Sequence, residues 1–317
     1  MNITRIEGAA AAIITPFSRK IVNEVDYEVD YEGLRKNVEF QNIYADFVVV
    51  NGTTGESATM TEKEQESVAE AVIEAAKIPV VAGTGSNCTR KALHMTRHAK
   101  DIGCAAALLV YPYYNRPPYD KAKKHYFGLI AGKVDIPIII YLVPSRTGKN
   151  TELPVEDVVE LAREHSNIVG IKEATGKPER TKQILEALKA AGRKDFIVYS
   201  GDDGLNYDIC RNGGRGSISV IANILPDMVA EEIRMLNGGK MKAAEGLQKL
   251  MNPFCDAVFL ETNPIGVKEA MNLLGMPAGP LRPPLGNMLP ENSGKLKALI
   301  KELEAAGRLK NVRKFYG

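Results

Sequence analysis

Eight short apolar runs, each followed by an amphipathic stretch, constrain this chain more than any other feature of its sequence. The runs fall at residues 10–14, 47–51, 80–82, 106–110, 138–141, 168–172, 197–200 and 217–220. Helical spacing occupies 31–41, 62–76, 90–102, 121–133, 155–164, 179–191 and 205–212 between them. Strands that are apolar throughout need cover on both faces, which parallel βα units supply. Turn formers punctuate the junctions at Asn51-Gly52, Pro112, Pro144 and Gly201. Eight units completed near residue 221 predict an α/β fold, the (β/α)8 barrel, whose usual size is about 250 residues. A doubly wound open sheet predicts a glycine fingerprint after its first strand, whereas here the first run leads into Thr15-Pro16-Phe17. A closing helix is expected at 226–236, followed by helices at 241–258, 264–274 and 293–305. The last carries Leu296, Leu299, Ile300 and Leu303 on one stripe. The expected organisation is a barrel domain over 1–237 and a small C-terminal helical domain over 238–317, the latter with no chemistry of its own. An extended acidic loop interrupts the pattern at 21–31.

Charge and cysteine usage narrow the function. Forty-one basic against 39 acidic residues leave a net charge of +2, so no basic excess recruits nucleic acid. The longest apolar stretches, 9–14 and 136–143, fall short of the roughly 18–20 residues that span a bilayer. The N-terminal residues show no secretory pattern, and Cys88, Cys104, Cys210 and Cys255 are scattered with no CxxC pair. The expectation is a cytoplasmic protein with reduced thiols. His94 and His98 sit four apart, but with no Glu between them and no third ligand nearby they predict a solvated helix face rather than a metal site.

Barrels build their sites at the C-terminal ends of the strands, and that rule selects residues. Lys172 lies inside an apolar run with Ile168, Val169 and Ile171. Burial disfavours an ammonium and lowers its pKa, which makes such a lysine a nucleophile toward carbonyls; pairing with an acid such as Glu173 is the structural alternative. Tyr141 closes an aliphatic run, as a proton-handling phenol or as a core tyrosine whose hydroxyl reaches the rim. Thr53 and Thr54 stand among glycines, where hydroxyls and backbone N–H groups can hold a carboxylate or make a plain turn. Arg146 can fork a second carboxylate or remain a solvated loop charge. Asp202 and Asp203 after the seventh run would repel phosphate, and the glycines at 213–216 precede the eighth run on the wrong face, so a phosphosugar isomerase is disfavoured.

The strand-end motifs Gly52-Thr-Thr-Gly-Glu-Ser57, Pro112-Tyr-Tyr-Asn-Arg-Pro117, Pro144-Ser-Arg-Thr-Gly148 and Gly170-Ile-Lys-Glu-Ala-Thr-Gly176 occur in this order. Together they resemble the dihydrodipicolinate synthase / N-acetylneuraminate lyase family of pyruvate-dependent barrels. The likeness runs from Thr15-Pro-Phe17 to Asn263-Pro-Ile-Gly-Val-Lys268. It implies a lyase that condenses pyruvate with L-aspartate 4-semialdehyde to 4-hydroxy-tetrahydrodipicolinate, on the route to diaminopimelate and lysine. By this resemblance Lys172 forms an imine with pyruvate and Tyr141 relays protons. Thr53 links Tyr141 to Tyr114, which in the family comes from a neighbouring subunit, so at least a dimer, dimer or tetramer, is implied. Thr53 and Thr54 hold the pyruvate carboxylate, Arg146 holds the carboxylate of the aldehyde, and main-chain groups near Gly201 and Ile218 line the pocket. No metal or organic cofactor is implied.

One position departs from the pattern: Leu142 stands where asparagine is usual after the tyrosine. Successive strand residues alternate faces, so Leu142 is expected to point into packing, away from Tyr141. A sibling aldolase acting on 2-keto-3-deoxy sugar acids is the alternative activity, and a catalytically silent binding relative is a third. Arg146 favours the first, because a guanidinium suits an aldehyde with its own carboxylate. The resemblance also bears on regulation. In lysine-inhibited relatives an acidic residue grips the ligand's ammonium and a histidine or other aromatic encloses it. Here Asn87 is kept, but Lys91 falls at the acid's position and Gln65 at the histidine's, leaving Tyr113 and Asn87 to hold a carboxylate. Insensitivity to L-lysine is the expectation.

Overall fold

In the computed structural model, which describes residues 6–317, the eight apolar runs form one closed parallel sheet. Its strands are β1 (Gly8–Ala12), β2 (Phe47–Val50), β3 (Val80–Gly83), β4 (Ala106–Val110), β5 (Ile138–Leu142), β6 (Ile168–Glu173), β7 (Ile197–Ser200) and β8 (Gly216–Ser219). Each strand pairs with its predecessor, and β8 returns to β1 in the register Gly8↔Gly216 to Ala11↔Ser219. This is the (β/α)8 barrel. The outer ring comprises α1 (Tyr31–Tyr44), α2 (Glu62–Ala75), α3 (Thr89–Asp101), α4 (residues 119–133, with a π turn at Lys123–Phe127), α5 (Val155–Glu164), α6 (Glu179–Ala190), α7 (Asn206–Arg211) and α8 (Pro226–Asn237).

Strand alternation sorts the apolar side chains into two layers. Ala10, Ala12, Phe47, Val49, Leu108, Ile139, Tyr141, Tyr199 and Ile218 fill the barrel interior. Val48, Val50, Leu109, Ile138, Ile140, Leu142 and Ile171 face the helices instead. The alanines of β1 leave room for Phe47 and Tyr199, which meet edge-on at 5.9 Å. Leu142 is fully buried in the outer layer while Tyr141 belongs to the inner one. The substitution after the tyrosine therefore sits on the far side of the strand from the barrel interior.

Beyond the barrel lie α9 (Met241–Val258), α10 (Ile265–Leu273), α11 (Pro290–Ala305) and α12 (Lys310–Tyr316). One apolar cluster runs without interruption from α8 through all four. Leu296, Ile300 and Leu303 of the expected stripe are buried in it, and Leu299 packs against it half-buried.

Three local differences from the sequence reading have physical causes. The first strand begins two residues early and stops at Ala12, because Ile14 donates its N–H to the Asn223 side chain (3.1 Å) rather than to a ladder partner. Part of the acidic 21–31 loop belongs to an antiparallel hairpin, Phe17–Ile21 with Tyr27–Val29. The terminal helix α12 was not expected from its basic sequence; Phe315 and Tyr316 hold it by ring contacts with Phe40 on α1 at 5.2 Å each. No helix among the described residues is long and apolar enough to cross a membrane. His94 and His98 face Glu66 (2.7 Å) and Glu70 (3.4 Å) across the α2–α3 boundary.

Candidate active site

Lys172 and Glu173 are neighbours on β6, and alternation sends them to opposite faces. Glu173 turns outward, where Thr175 donates to it at 2.9 Å and Arg180 lies 3.4 Å away. It is therefore not the partner of Lys172. Lys172 turns inward, 6% exposed, beside Tyr141 in the paired register of β5 and β6. Its Nζ lies 4.4 Å from the centroid of the Tyr141 ring. Among the described residues, no hydrogen bond or salt bridge holds this amine. Burial draws its pKa down to about 8, opposed by Asp203 and reinforced by Arg146. At neutral pH a useful fraction is thus free amine, the nucleophilic form. Burial also pushes the Tyr141 phenol up to about 12, with Arg146 opposing, so it stays protonated.

Gly201 makes room for the lysine. A Cβ at this position would lie 2.9 Å from Lys172 Cε and 2.9 Å from Ala174 Cβ, too close for either to stay put. Behind the same strand end, the buried Asp203 accepts from the N–H groups of Val220 (2.8 Å) and Ile221 (3.0 Å). Those bonds lower its pKa, but burial outweighs them and raises it.

A cavity of about 940 Å³ opens over the C-terminal ends of the strands, and Thr53, Thr54, Tyr141, Arg146, Lys172 and Gly201 all line it. The helical turn Pro144–Thr147 after β5 carries Arg146 to the wall, where its guanidinium donates to the Asn263 carbonyl at 2.9 Å. The Asn263 side chain in turn donates to Thr54 Oγ1 at 3.0 Å. One residue from the C-terminal region thus bridges the loop after β2 and the loop after β5. That region was expected to carry no chemistry, yet Cys255, Asp256, Phe259, Asn263 and Pro264 line the cavity. Sequence reasoning missed Asn263 as a site residue and read Asp203 only as a charge that would repel phosphate. Asn263 had a signal, since it opens a motif that the resemblance already quoted.

Two expected residues do not themselves line the cavity. Tyr114 is 86% exposed at the tip of the loop after β4, with φ +64°, and its neighbour Tyr113 lines the cavity instead. Ile218 is buried in the barrel interior, below the cavity wall that Val220 reaches.

The model of the dihydrodipicolinate synthetase family matches residues 5–303. The chain belongs to that family. A 4-hydroxy-tetrahydrodipicolinate synthase of Methanococcoides burtonii is 46% identical to it over 298 residues, covering 94% of this chain and 98% of the relative. A crystal structure of the dihydrodipicolinate synthase from Aquifex aeolicus superposes with a TM-score of 0.88 at 40% identity, covering 94% of this chain and 98% of that one. A chloride-inhibited dihydrodipicolinate synthase from Acinetobacter baumannii, complexed with pyruvate, gives a TM-score of 0.87 at 36% identity over 94% of this chain and 99% of that one. Both structural matches extend over the barrel and the C-terminal helices.

Proposed function

We propose that this chain condenses pyruvate with L-aspartate 4-semialdehyde to 4-hydroxy-tetrahydrodipicolinate. The observation that carries the reading is the buried, unpartnered Lys172, set beside Tyr141 in a cavity that also presents Thr53, Thr54 and Arg146. The neutral Lys172 amine attacks the ketone carbon of pyruvate, and loss of water leaves a protonated imine. That cation withdraws electrons, so the methyl group gives up a proton and becomes an enamine carbon. Tyr141, protonated at neutral pH and with its ring 4.4 Å from the lysine amine, passes protons in these steps. The enamine carbon then attacks the aldehyde. Finally the amine of the adduct adds to the imine carbon, closes the ring and releases Lys172. The electron sink is the lysine itself, and the sequence calls for no metal or organic cofactor.

The resemblance to the family implies the roles of the remaining residues. Thr53 and Thr54 hold the pyruvate carboxylate by hydroxyl and backbone N–H, while Arg146 takes the carboxylate of the aldehyde as a charge-assisted pair. The gap that Gly201 leaves at the strand end is where the Lys172 stem packs. Main chain near Ile218 completes the wall through Val220. The outward Tyr114 completes the proton relay through Thr53 in a second copy of the chain, so the working form is a homo-oligomer. We place the enzyme in the cytoplasm and keep the division into a barrel (1–237) and an appended helical domain (238–317).

The test is borohydride reduction in the presence of pyruvate. One reduced adduct on Lys172 is expected, and turnover with L-aspartate 4-semialdehyde is expected to exceed cleavage of 2-keto-3-deoxygluconate. A label on another residue, or no label, overturns the imine; preferred sugar-acid cleavage overturns the substrate assignment.

A further inference from the structure

The loop after β2 carries both threonines assigned to the pyruvate carboxylate, and short-range bonds shape its turns. Gly55 N–H donates to the Gly52 carbonyl at 3.2 Å, and Glu56 N–H donates to the Thr53 carbonyl at 3.0 Å. Glu56 holds φ at +53°, a left-handed conformation that is uncommon for a residue with a Cβ. Thr59 donates to the Glu56 carbonyl from its N–H (2.9 Å) and its hydroxyl (3.0 Å), while the Glu56 side chain is held from the other end of the chain. Lys268 of α10, wholly buried, donates to Glu56 Oε1 at 2.7 Å, to the Thr15 carbonyl at 3.1 Å and to the Pro280 carbonyl at 2.7 Å. All three of its protons are used. The other Glu56 oxygen accepts the backbone N–H of Arg282 at 3.0 Å. Both cations also lie 4.4 Å from the Phe17 ring centroid.

We propose that Glu56 and Lys268 are positioning residues for the pyruvate carboxylate. Their ion pair locks Glu56 in the left-handed turn. That turn fixes the Thr53 carbonyl and with it the direction of the Thr53 and Thr54 hydroxyls and N–H groups. The proposal rests on the assignment of those threonines to pyruvate. It predicts selective action, because the pair touches neither Arg146, which awaits the second substrate, nor Lys172, which reacts. A buried ion pair placed only for stability would affect both substrates alike.

The experiment measures the pyruvate concentration for half-maximal borohydride trapping, the KM for the aldehyde, and the melting temperature, on the full chain. Glu56→Gln keeps the acceptor for the Arg282 N–H but loses the charge. It is expected to raise the half-trapping concentration about tenfold, to leave the aldehyde KM within twofold, and to give full labelling of Lys172 at saturating pyruvate. The double variant Glu56→Gln with Lys268→Met guards against a failure to fold, since replacing both members of a buried pair is often close to neutral for folding. It is expected to show the same selective loss. Val229→Ala, in the fully buried core of α8 away from the cavity, serves as the destabilised control. It lowers the melting temperature and leaves half-trapping within twofold. The proposal is overturned if either Glu56 variant leaves half-trapping unchanged, if both substrates weaken together, or if Val229→Ala weakens pyruvate equally. Absence of any adduct in the unmodified enzyme overturns the imine reading instead, so the two failures are distinct.

Discussion

Two buried lysines divide this molecule's chemistry between them. Lys172 lies at the inner end of the cavity and Lys268 lies where α10 meets the loops of the barrel. Burial lowers both pKa values, opposed at Lys268 by Glu56 and at Lys172 by Asp203. What separates them is acceptors. Three oxygens take the three protons of Lys268, Glu56 among them. Lys172 faces an aromatic ring and open cavity. Burial makes an ammonium costly; only the absence of a partner turns that cost into a reactive lone pair. The saturated lysine holds structure, and the unsatisfied one does chemistry.

Removing each lysine breaks the comparison most directly. Lys172→Met is expected to abolish the pyruvate adduct and reduce turnover by about a thousandfold or more, as loss of a covalent nucleophile does. The same change should raise the melting temperature at pH 7, since it deletes an unpaired buried amine. Lys268→Met should act in the opposite direction on stability. It strands the Glu56 carboxylate in the interior, at a cost of about 3–5 kcal/mol. Thermal melts of the two variants side by side check this; equal shifts of the same sign would show that acceptors do not distinguish the two sites.

Arg146→Ala is expected to raise the KM for L-aspartate 4-semialdehyde between tenfold and a hundredfold, the effect of losing a charge-assisted contact worth about 1.5–3 kcal/mol. Pyruvate trapping should stay nearly normal, because the lysine and its neighbouring tyrosine remain. Steady-state kinetics with both substrates varied separates the two. Trapping that fell in parallel would mean that Arg146 serves the first substrate.

The pH profile sharpens the contrast further. The reacting form of Lys172 is the free amine, so imine formation at low pyruvate should rise about tenfold per unit below its pKa of about 8 and level off above it. The stability sign follows from the same shift. The folded state holds this proton less tightly than the unfolded chain, whose lysine titrates near 10.4. The stability associated with Lys172 is therefore full above that value and lost as pH falls toward 8. The stabilising effect of Lys172→Met should accordingly shrink as pH rises through this window, which melts at pH 7 and pH 10 can compare.

The smallest expected effect is none. L-Lysine at about 1 mM, the scale of a −4 kcal/mol site, should not inhibit. Lys91, 3.9 Å from Glu62, stands at the position where the lysine-inhibited pattern has an acid. Gln65 is committed to the carbonyls of Ser57 and Met60. Half-inhibition below 1 mM in a steady-state assay would contradict this and reveal an effector pocket built from other residues.

Much of this is legible in the sequence. Alternation of apolar runs and amphipathic stretches determined the barrel, because strands buried on both faces require helices between them. The position of Lys172 within one such run marked it as a lysine facing either the barrel or the helices, and the period of two placed Leu142 on the face opposite Tyr141. Glycines and threonines at the strand ends marked a binding loop. Tertiary structure alone decided which way Lys172 points, that Arg180 and not Lys172 meets Glu173, and that Asn263 bridges Thr54 and Arg146. It alone brought Lys268 to Glu56, 212 positions away. Periodicity reports which face of an element is buried, since neighbours a few residues apart share it. Whether a buried charge finds an acceptor depends on groups brought together only when the barrel closes and the C-terminal helices dock, and no local pattern encodes that distance.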